Sequence, residues 1–442
     1  MTRHQLKQVV FNAIDAHKEK VFALGDALYK NPELGYREVF ATETVATFFN
    51  EMDFQVETEL AVTGVTATPK EHQEGPTLTV MGELDAIVCA DHPDANERGC
   101  VHACGHHIQV AAMAAMAIGL KEAGAFEQLS GRVQFMAVPA EEFVEMGFRS
   151  GMRQEGKISW YGGKQEMIAR GLFDDTDIAM MFHALDLGPA PAALVGATGN
   201  GFIGKEVFFK GRASHAGAAP HDGVNALNAA MLAMNNIHAQ RETFRDEDHI
   251  RVHPILTKAG DAVNVVPADV QMETYVRGAS IDGMRDASKK VDRAIMAGAM
   301  AVGAELEIKT TAGYLPLLTN PELDAIFKEN VQPFCGDHIL EDLELAGSFD
   351  MGDLSHIIPC LHPFTGGVSG NLHTKEFCVT DPETAFLLPA KAMAGTIIDL
   401  LFDNAEKAKT VVKNFRPRFS KATYLKLLEE ISESKKQEGN GV

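Results

Sequence analysis

Apolar residues recur at helical spacing through residues 5–30, at Leu6, Val9, Val10, Ile14, Val21, Leu24 and Leu28, until Asn31-Pro32 ends the pattern. Residues 42–52 predict another helix. The period then changes. Short apolar runs at residues 77–81, 133–138 and 178–182 each fit a buried strand, and a long Ala/Met-rich helical stretch over residues 110–123 separates the first two. Strands alternating with helices predict an α/β domain, a mixed sheet with helices on both faces.

From about Leu194 to Lys309 the texture differs. Residues 202–210 alternate in part, 224–238 have helical spacing, 263–275 resume strand character and 281–301 are helical again. This βαββα-like block interrupts the first pattern and predicts an inserted α+β domain. The expected division is residues 1–194, an insert at 195–312, a return to the first domain at 313–405 with an apolar helix at 385–402, and a polar, partly helical tail at 406–442.

The polar residues that follow the buried runs carry the chemistry. The first run ends at Gly82-Glu83-Leu84-Asp85, the second at Pro139-Ala140-Glu141-Glu142 and the third at His183. Ligand sites of open α/β sheets lie outside the carboxyl ends of their strands. Residues 101–107 add Val-His-Ala-Cys-Gly-His-His. In an extended segment Cys104 and His106 project to one face, and Gly105 between them leaves the backbone free to bend. Thiolate, imidazole and carboxylate together hold borderline divalent metals such as zinc. A second glutamate beside them is what metal-assisted hydrolysis needs as a proton carrier. Each residue also has a plainer reading. A buried Cys104 acts as a small hydrophobe, Glu141-Glu142 as a solvated pair and His183 as a satisfied core histidine. His102 and His107 read as supporting or structural.

Composition narrows the field. A chain of 442 residues exceeds one typical core, and 45% apolar with 23% charged residues is ordinary globular usage. The net charge of −21 argues against nucleic acid and anionic membrane surfaces as partners. Six cysteines are too sparse for a disulfide scaffold. The basic N-terminus has no apolar stretch of a signal peptide behind it, and the longest apolar run, residues 110–120, is about half a membrane span. A soluble protein of a reducing, cytoplasmic setting is expected.

Several motifs, in order over residues 20–400, resemble the M20 metallopeptidase-like amidohydrolases. They are Asp85-Ala86, His102-Ala103-Cys104-Gly105-His106, Pro139-Ala140-Glu141-Glu142, the Gly211–Pro220 stretch around Ser214-His215, and Ala262-Val263-Asn264-Val265-Val266-Pro267. Asn31-Pro32-Glu33-Leu34-Gly35, Gly347-Ser348-Phe349-Asp350 and Leu372-His373 support them. The nearest branch holds aminoacylases and the hippurate, indole-acetyl-amino-acid and aminobenzoyl-glutamate hydrolases. The resemblance implies two divalent ions, zinc or manganese first and cobalt or nickel next. It implies Cys104, His106, Glu142, His183 and His373 as ligands, with Cys104 bridging and His373 preferred over His362 and His356. It further implies Glu141 as general base and Asp85 as the carboxylate that orients the site. The insert corresponds to a lid or dimerisation domain whose His215 reaches the active site, that of the partner subunit in a homodimer, to polarise the scissile carbonyl. Asn264 and Arg277 match positions that grip a substrate carboxylate.

The sequence departs from the family at His107, where Asp is usual, at Phe143, where Gly is usual, and in a longer, more polar segment at 151–163 holding the single tryptophan, Trp160. These changes bear on substrate choice more than on chemistry. The expected activity is hydrolysis of the amide bond of an N-acyl amino acid or related small conjugate, with an aminobenzoyl-glutamate-type or dipeptide substrate as the alternative. A cysteine hydrolase using Cys104 as nucleophile and a non-catalytic binding protein are the rivals from other classes.

Overall fold

All seven residues of strand Thr77–Glu83 are buried, as a strand with parallel neighbours on both sides and cover on both faces must be. The structure, a computed structural model, describes residues 1–439. Thr77–Glu83 is central to a six-stranded sheet. Its order is Gln55–Leu60, Gly64–Thr68, Arg132–Val138, Thr77–Glu83, Ile178–Met180 and Cys360–Leu361. The last four strands run parallel, and the first two form an antiparallel edge. Glu83 lies in register with Val138, and Val80 with Met180, so the three predicted apolar runs end along one edge. The α/β reading holds, with a mixed sheet.

Two local differences matter for the site. The third run is a strand only to Met180; His183–Ala184 then pairs with Phe364–Thr365 in a separate four-stranded sheet. The central helix begins earlier than apolar spacing suggested and spans His106–Glu122, with its first fifteen residues buried. His106, His107 and Gln109 are polar yet buried, so periodicity alone placed them outside the helix. A helix apolar on all sides belongs in a core. This one packs against the helices Arg3–Ala16, Lys18–Lys30 and Leu388–Asn414 as well as the strand Thr77–Glu83. The stretch Glu383–Asn414 is apolar and long enough to cross a membrane, but its most apolar window is 89% buried inside the protein, so it is a core element. It breaks at Phe402–Ala405, where Asp403, Asn404 and Ala405 all have left-handed backbone.

The chain divides into two compact units. The first holds Met1–Thr198, Leu318–Glu344 and Asp353–Phe419; the second holds Gly199–Leu317, Leu345–Gly352 and, of the described residues, 420–439. In the second unit an antiparallel sheet runs Arg251–Lys258, Asp269–Gly278, Gly201–Lys210, Glu305–Ala312 and Glu433–Gln437. The helices Ala226–Ala239 and Ile281–Val302 pack on it over their own apolar core. Residues 263–267, expected to begin a strand, form a loop with Val263 fully exposed; the strand starts at Asp269. Arg251–Lys258 and the tail strand Glu433–Gln437 were not expected. The latter pairs with Glu305–Ala312, and its Lys435 reaches the buried Asp292 at 2.7 Å.

The loop after Arg132–Val138 is held by close contacts. A Cβ added at Gly163 would stand 1.6 Å from the Pro139 carbonyl oxygen. Gly163→Ala should therefore lower stability by at least about 2 kcal/mol, and a thermal midpoint within about 1 °C of the native one would contradict this packing.

Glu38, fully buried, accepts hydrogen bonds from Ala140 N (2.8 Å) and Thr63 Oγ1 (2.6 Å). Burial, then the charge of Asp85, raises its pKa to about 7. The native state thus keeps a proton that the unfolded chain releases from about pH 4.5, so this group's contribution to stability falls between those values and is constant above them. Glu38→Gln removes that titration. Its urea midpoint relative to the native chain should rise from about pH 5 to about pH 8; an unchanged difference would refute the assignment.

Candidate metal centre

Asp85 follows the central strand by two residues and is fully buried. Its backbone carbonyl and Oδ1 face His106 Nδ1 at 2.8 and 3.2 Å, while Oδ2 accepts from Glu142 N at 2.9 Å. One acidic residue therefore joins the ends of two strands to the first turn of the central helix. With Nδ1–H donated to a carbonyl, the other ring nitrogen of His106 is the one left for a proton or a metal ion. That Nε2 faces two carboxylate oxygens, Glu83 Oε2 at 3.1 Å and Glu141 Oε2 at 3.8 Å.

The pattern repeats around Cys104. His183 Nδ1 faces the Ala184 carbonyl at 2.8 Å, and its Nε2 lies 3.5 Å from Cys104 Sγ. His373 Nε2 approaches the same sulfur at 3.3 Å and Glu142 Oε1 at 2.9 Å. Donor atoms thus gather into three groups, Cys104–His106–His183, Cys104–Glu142–His373 and Glu83–His106–Glu141, each within 4.8 Å. The sulfur is common to the first two.

Backbone geometry sets these directions. Gly105 (φ 82°), Ala140 (φ 53°) and His373 (φ 62°) all occupy the left-handed region, which is costly for the two that are not glycine. The turn at Gly105 lets Cys104 face the sheet edge while His106 opens the helix. A hydrogen bond from His373 N to the Ala103 carbonyl (2.9 Å) brings the C-terminal loop onto the same segment.

The electrostatics call for positive charge. Burial and Glu142 oppose the Cys104 thiolate, yet His106, His373 and His183 bring its pKa down to about 6. Burial likewise opposes a charged His106, but Cys104 and Glu83 hold its pKa well above the ordinary value. His373 is raised in the same way by Glu142 and Cys104. Lone pairs and anionic groups converging in a dry pocket need cations between them. One thiolate, three imidazoles and carboxylates fit a pair of borderline divalent ions.

All five expected ligands, with Glu141 and Asp85, are therefore neighbours. The alternatives to His373 are not among the three donor groups: His362 stacks on Phe364, its ring 6.4 Å from that of His183, and His356 stacks on Phe419. His102 and His107 pack on each other, and His107 also on Tyr29 and Phe386.

Sequence reasoning missed several buried residues. Lys164 Nζ pairs with Glu83 Oε1 at 2.7 Å, and Gln109 Nε2 donates to Glu83 Oε2 at 3.0 Å. Arg149, 1% exposed, donates to the carbonyls of Ala140, Glu142 and Tyr161 and lies over the rings of Tyr36 and Phe143. Arg149, two residues before the longer 151–163 segment, thus fixes the Glu141-Glu142 backbone. The segment itself is held by Glu166 Oε2, which accepts from Ser159 N and Trp160 N. The departure at Phe143 was the only hint.

The remaining expected residues lie in the second unit. His215 is exposed; its Nδ1 accepts from Gly217 N (3.1 Å) and Ala218 N (3.0 Å), which leaves Nε2–H as an outward donor. Asn264, also exposed, accepts Ala216 N through its carbonyl at 2.9 Å. Arg277 is half-buried, donates to Ser348 Oγ at 2.5 Å and lies over the rings of Phe202 and Tyr275.

Known proteins resemble this chain in sequence and in fold. Residues 199–300 match the peptidase dimerisation domain of the M20 family. The Xaa-Arg dipeptidase of Mus musculus is 29% identical, over 90% of each chain. One chain of the p-aminobenzoyl-glutamate hydrolase of Escherichia coli is 29% identical, over 65% of this protein and 64% of its own length. A Bacillus subtilis structure described as a dinuclear metal binding peptidase from the M20 family superposes with a TM-score of 0.63 at 19% identity, covering 88% of this chain and 99% of that one. With these relatives along most of its length and the donor groups at its sheet edge, the chain is similar to the M20 amidohydrolases and is a metal-dependent hydrolase of amide or peptide bonds.

Proposed function

We propose that this protein cleaves the amide bond of an N-acyl amino acid, short peptide or related conjugate that ends in a free carboxylate. Two divalent ions held by Cys104, His106, Glu142, His183 and His373 would serve the reaction. The observation that carries the reading is the Cys104 sulfur, shared between two groups of three donors. Zinc and manganese are the first choices, and cobalt and nickel suit the same donors. The relatives named for Xaa-Arg dipeptides and p-aminobenzoyl-glutamate support an amino acid as the leaving group.

When bound, the ions supply Lewis acidity that makes water acidic and polarises a carbonyl. Glu141 is the carboxylate left for proton transfer, taking a proton from the attacking water and returning it to the departing nitrogen. Asp85 keeps His106 in the tautomer whose Nε2 faces the donor cluster. His215, its Nδ1 occupied by two backbone amides, offers Nε2–H to the developing oxyanion. Asn264 and Arg277 bind the substrate carboxylate, a planar guanidinium being suited to two parallel hydrogen bonds. All six cysteines are free thiols, which fits a reducing, cytoplasmic setting.

Glu141→Gln should retain native metal content while kcat falls about 10²–10⁴-fold. A variant with full metal and native turnover would falsify the assignment of the base. Activity indifferent to strong chelators, with an acyl group trapped on Cys104, would favour the thiol nucleophile instead.

The protein is also proposed to be a homodimer through its second unit. Arg251–Lys258 is an outer strand of that sheet, and Ile255 on it is 51% exposed. Met231 and Leu232 on the helix Ala226–Ala239 are also exposed. An unpaired strand edge beside exposed apolar side chains suits pairing with a second copy. Ile255→Asp should shift sedimentation from dimer toward monomer; an unaltered dimer would exclude this edge.

A further inference from the structure

Glu83 lies outside the ligand set described above, although its carboxylate stands among those donors. Its Oε2 is 3.1 Å from His106 Nε2, and its Oε1 is 2.7 Å from Lys164 Nζ. Both side chains are buried, Glu83 at 1% exposure and Lys164 at 0%. His106 has committed Nδ1 to the Asp85 carbonyl, so Nε2 is the nitrogen that faces Glu83 Oε2. A cation must lie between an imidazole nitrogen and a carboxylate oxygen at this distance, a proton in the absence of metal and a divalent ion in its place when one is bound. Two donors on one ion, each at about 2.1 Å, stand about 3.0–3.4 Å apart, and the observed separation falls in that interval.

We infer that Glu83 is a sixth protein donor to the metal pair, binding the ion on His106, with Lys164 holding the carboxylate in place. This rests on the two-ion reading above and deepens it. Lys164 has a definite part. A further carboxylate would add negative charge to a buried cluster that already holds Cys104, Glu141 and Glu142. The ammonium cancels that addition and occupies Oε1, leaving Oε2 to the ion. Gln109 Nε2, 3.0 Å from Oε2, fixes the rotation of the carboxylate. The competing view is a structural ion pair that joins the strand Thr77–Glu83 to the helix Gly163–Arg170.

The test measures metal binding rather than turnover. The native chain, Glu83→Gln and the double variant Glu83→Gln/Lys164→Met are stripped and titrated with zinc against a chromophoric chelator, then loaded with cobalt for absorption spectra. The double variant removes both charges and so guards against misfolding from an unpaired buried lysine. The expected result is two ions on the native chain, with one site weakened at least about tenfold in both variants. The cobalt ligand-field bands should change while the thiolate-to-cobalt band from Cys104 persists. Two ions with native affinities and native cobalt spectra in both variants would overturn the assignment of Glu83 and leave the two-ion reading standing. A native chain that takes up fewer than two ions would overturn that reading, and the inference with it.

Discussion

The site depends on one buried carboxylate. Asp85 accepts from Glu142 N and receives His106 Nδ1, so the two segments cannot shift independently. A carboxylate with this many partners is rigid because releasing any one leaves a buried acceptor unsatisfied. That rigidity decides which nitrogen of His106 faces the other donors, and the geometry of the cluster follows from it.

The cluster stands in a core that would otherwise reject it. The central helix is apolar on every side except its first turn, where His106 and Gln109 meet the acidic strand end. Carboxylates and a thiolate in such a place are costly unless matched by positive charge. Lys164 matches one of them. The raised pKa of His106 and His373 shows that the remaining field is negative, which is the condition under which divalent ions bind.

Legibility differed from residue to residue. Cys104, His106, Glu141, Glu142 and His183 could be read because each follows or abuts a buried apolar run, where an ionisable side chain is anomalous. His373 was legible only through family resemblance, since its loop has no apolar periodicity and its backbone is left-handed. Lys164 was not legible at all, and Arg149 only through the departure at Phe143. A charged residue in a polar stretch normally reads as solvated, and only the folded segment of residues 143–163 turns Arg149 onto the carbonyls beneath it. The tail strand Glu433–Gln437, Glu-Ser-Lys-Lys-Gln, is an extreme case: its strand character comes from the open edge of Glu305–Ala312 and from Asp292, not from its own composition.

The sequence by itself determined the α/β class, the strand ends at which chemistry sits, and the kinds of donor assembled there, because hydrophobic period and residue type are local properties. Tertiary structure alone decided which imidazole nitrogen is available, that Glu83 joins the donors, and that the tail completes the second sheet. Those outcomes depend on distances between segments far apart in the chain, and no local pattern encodes them.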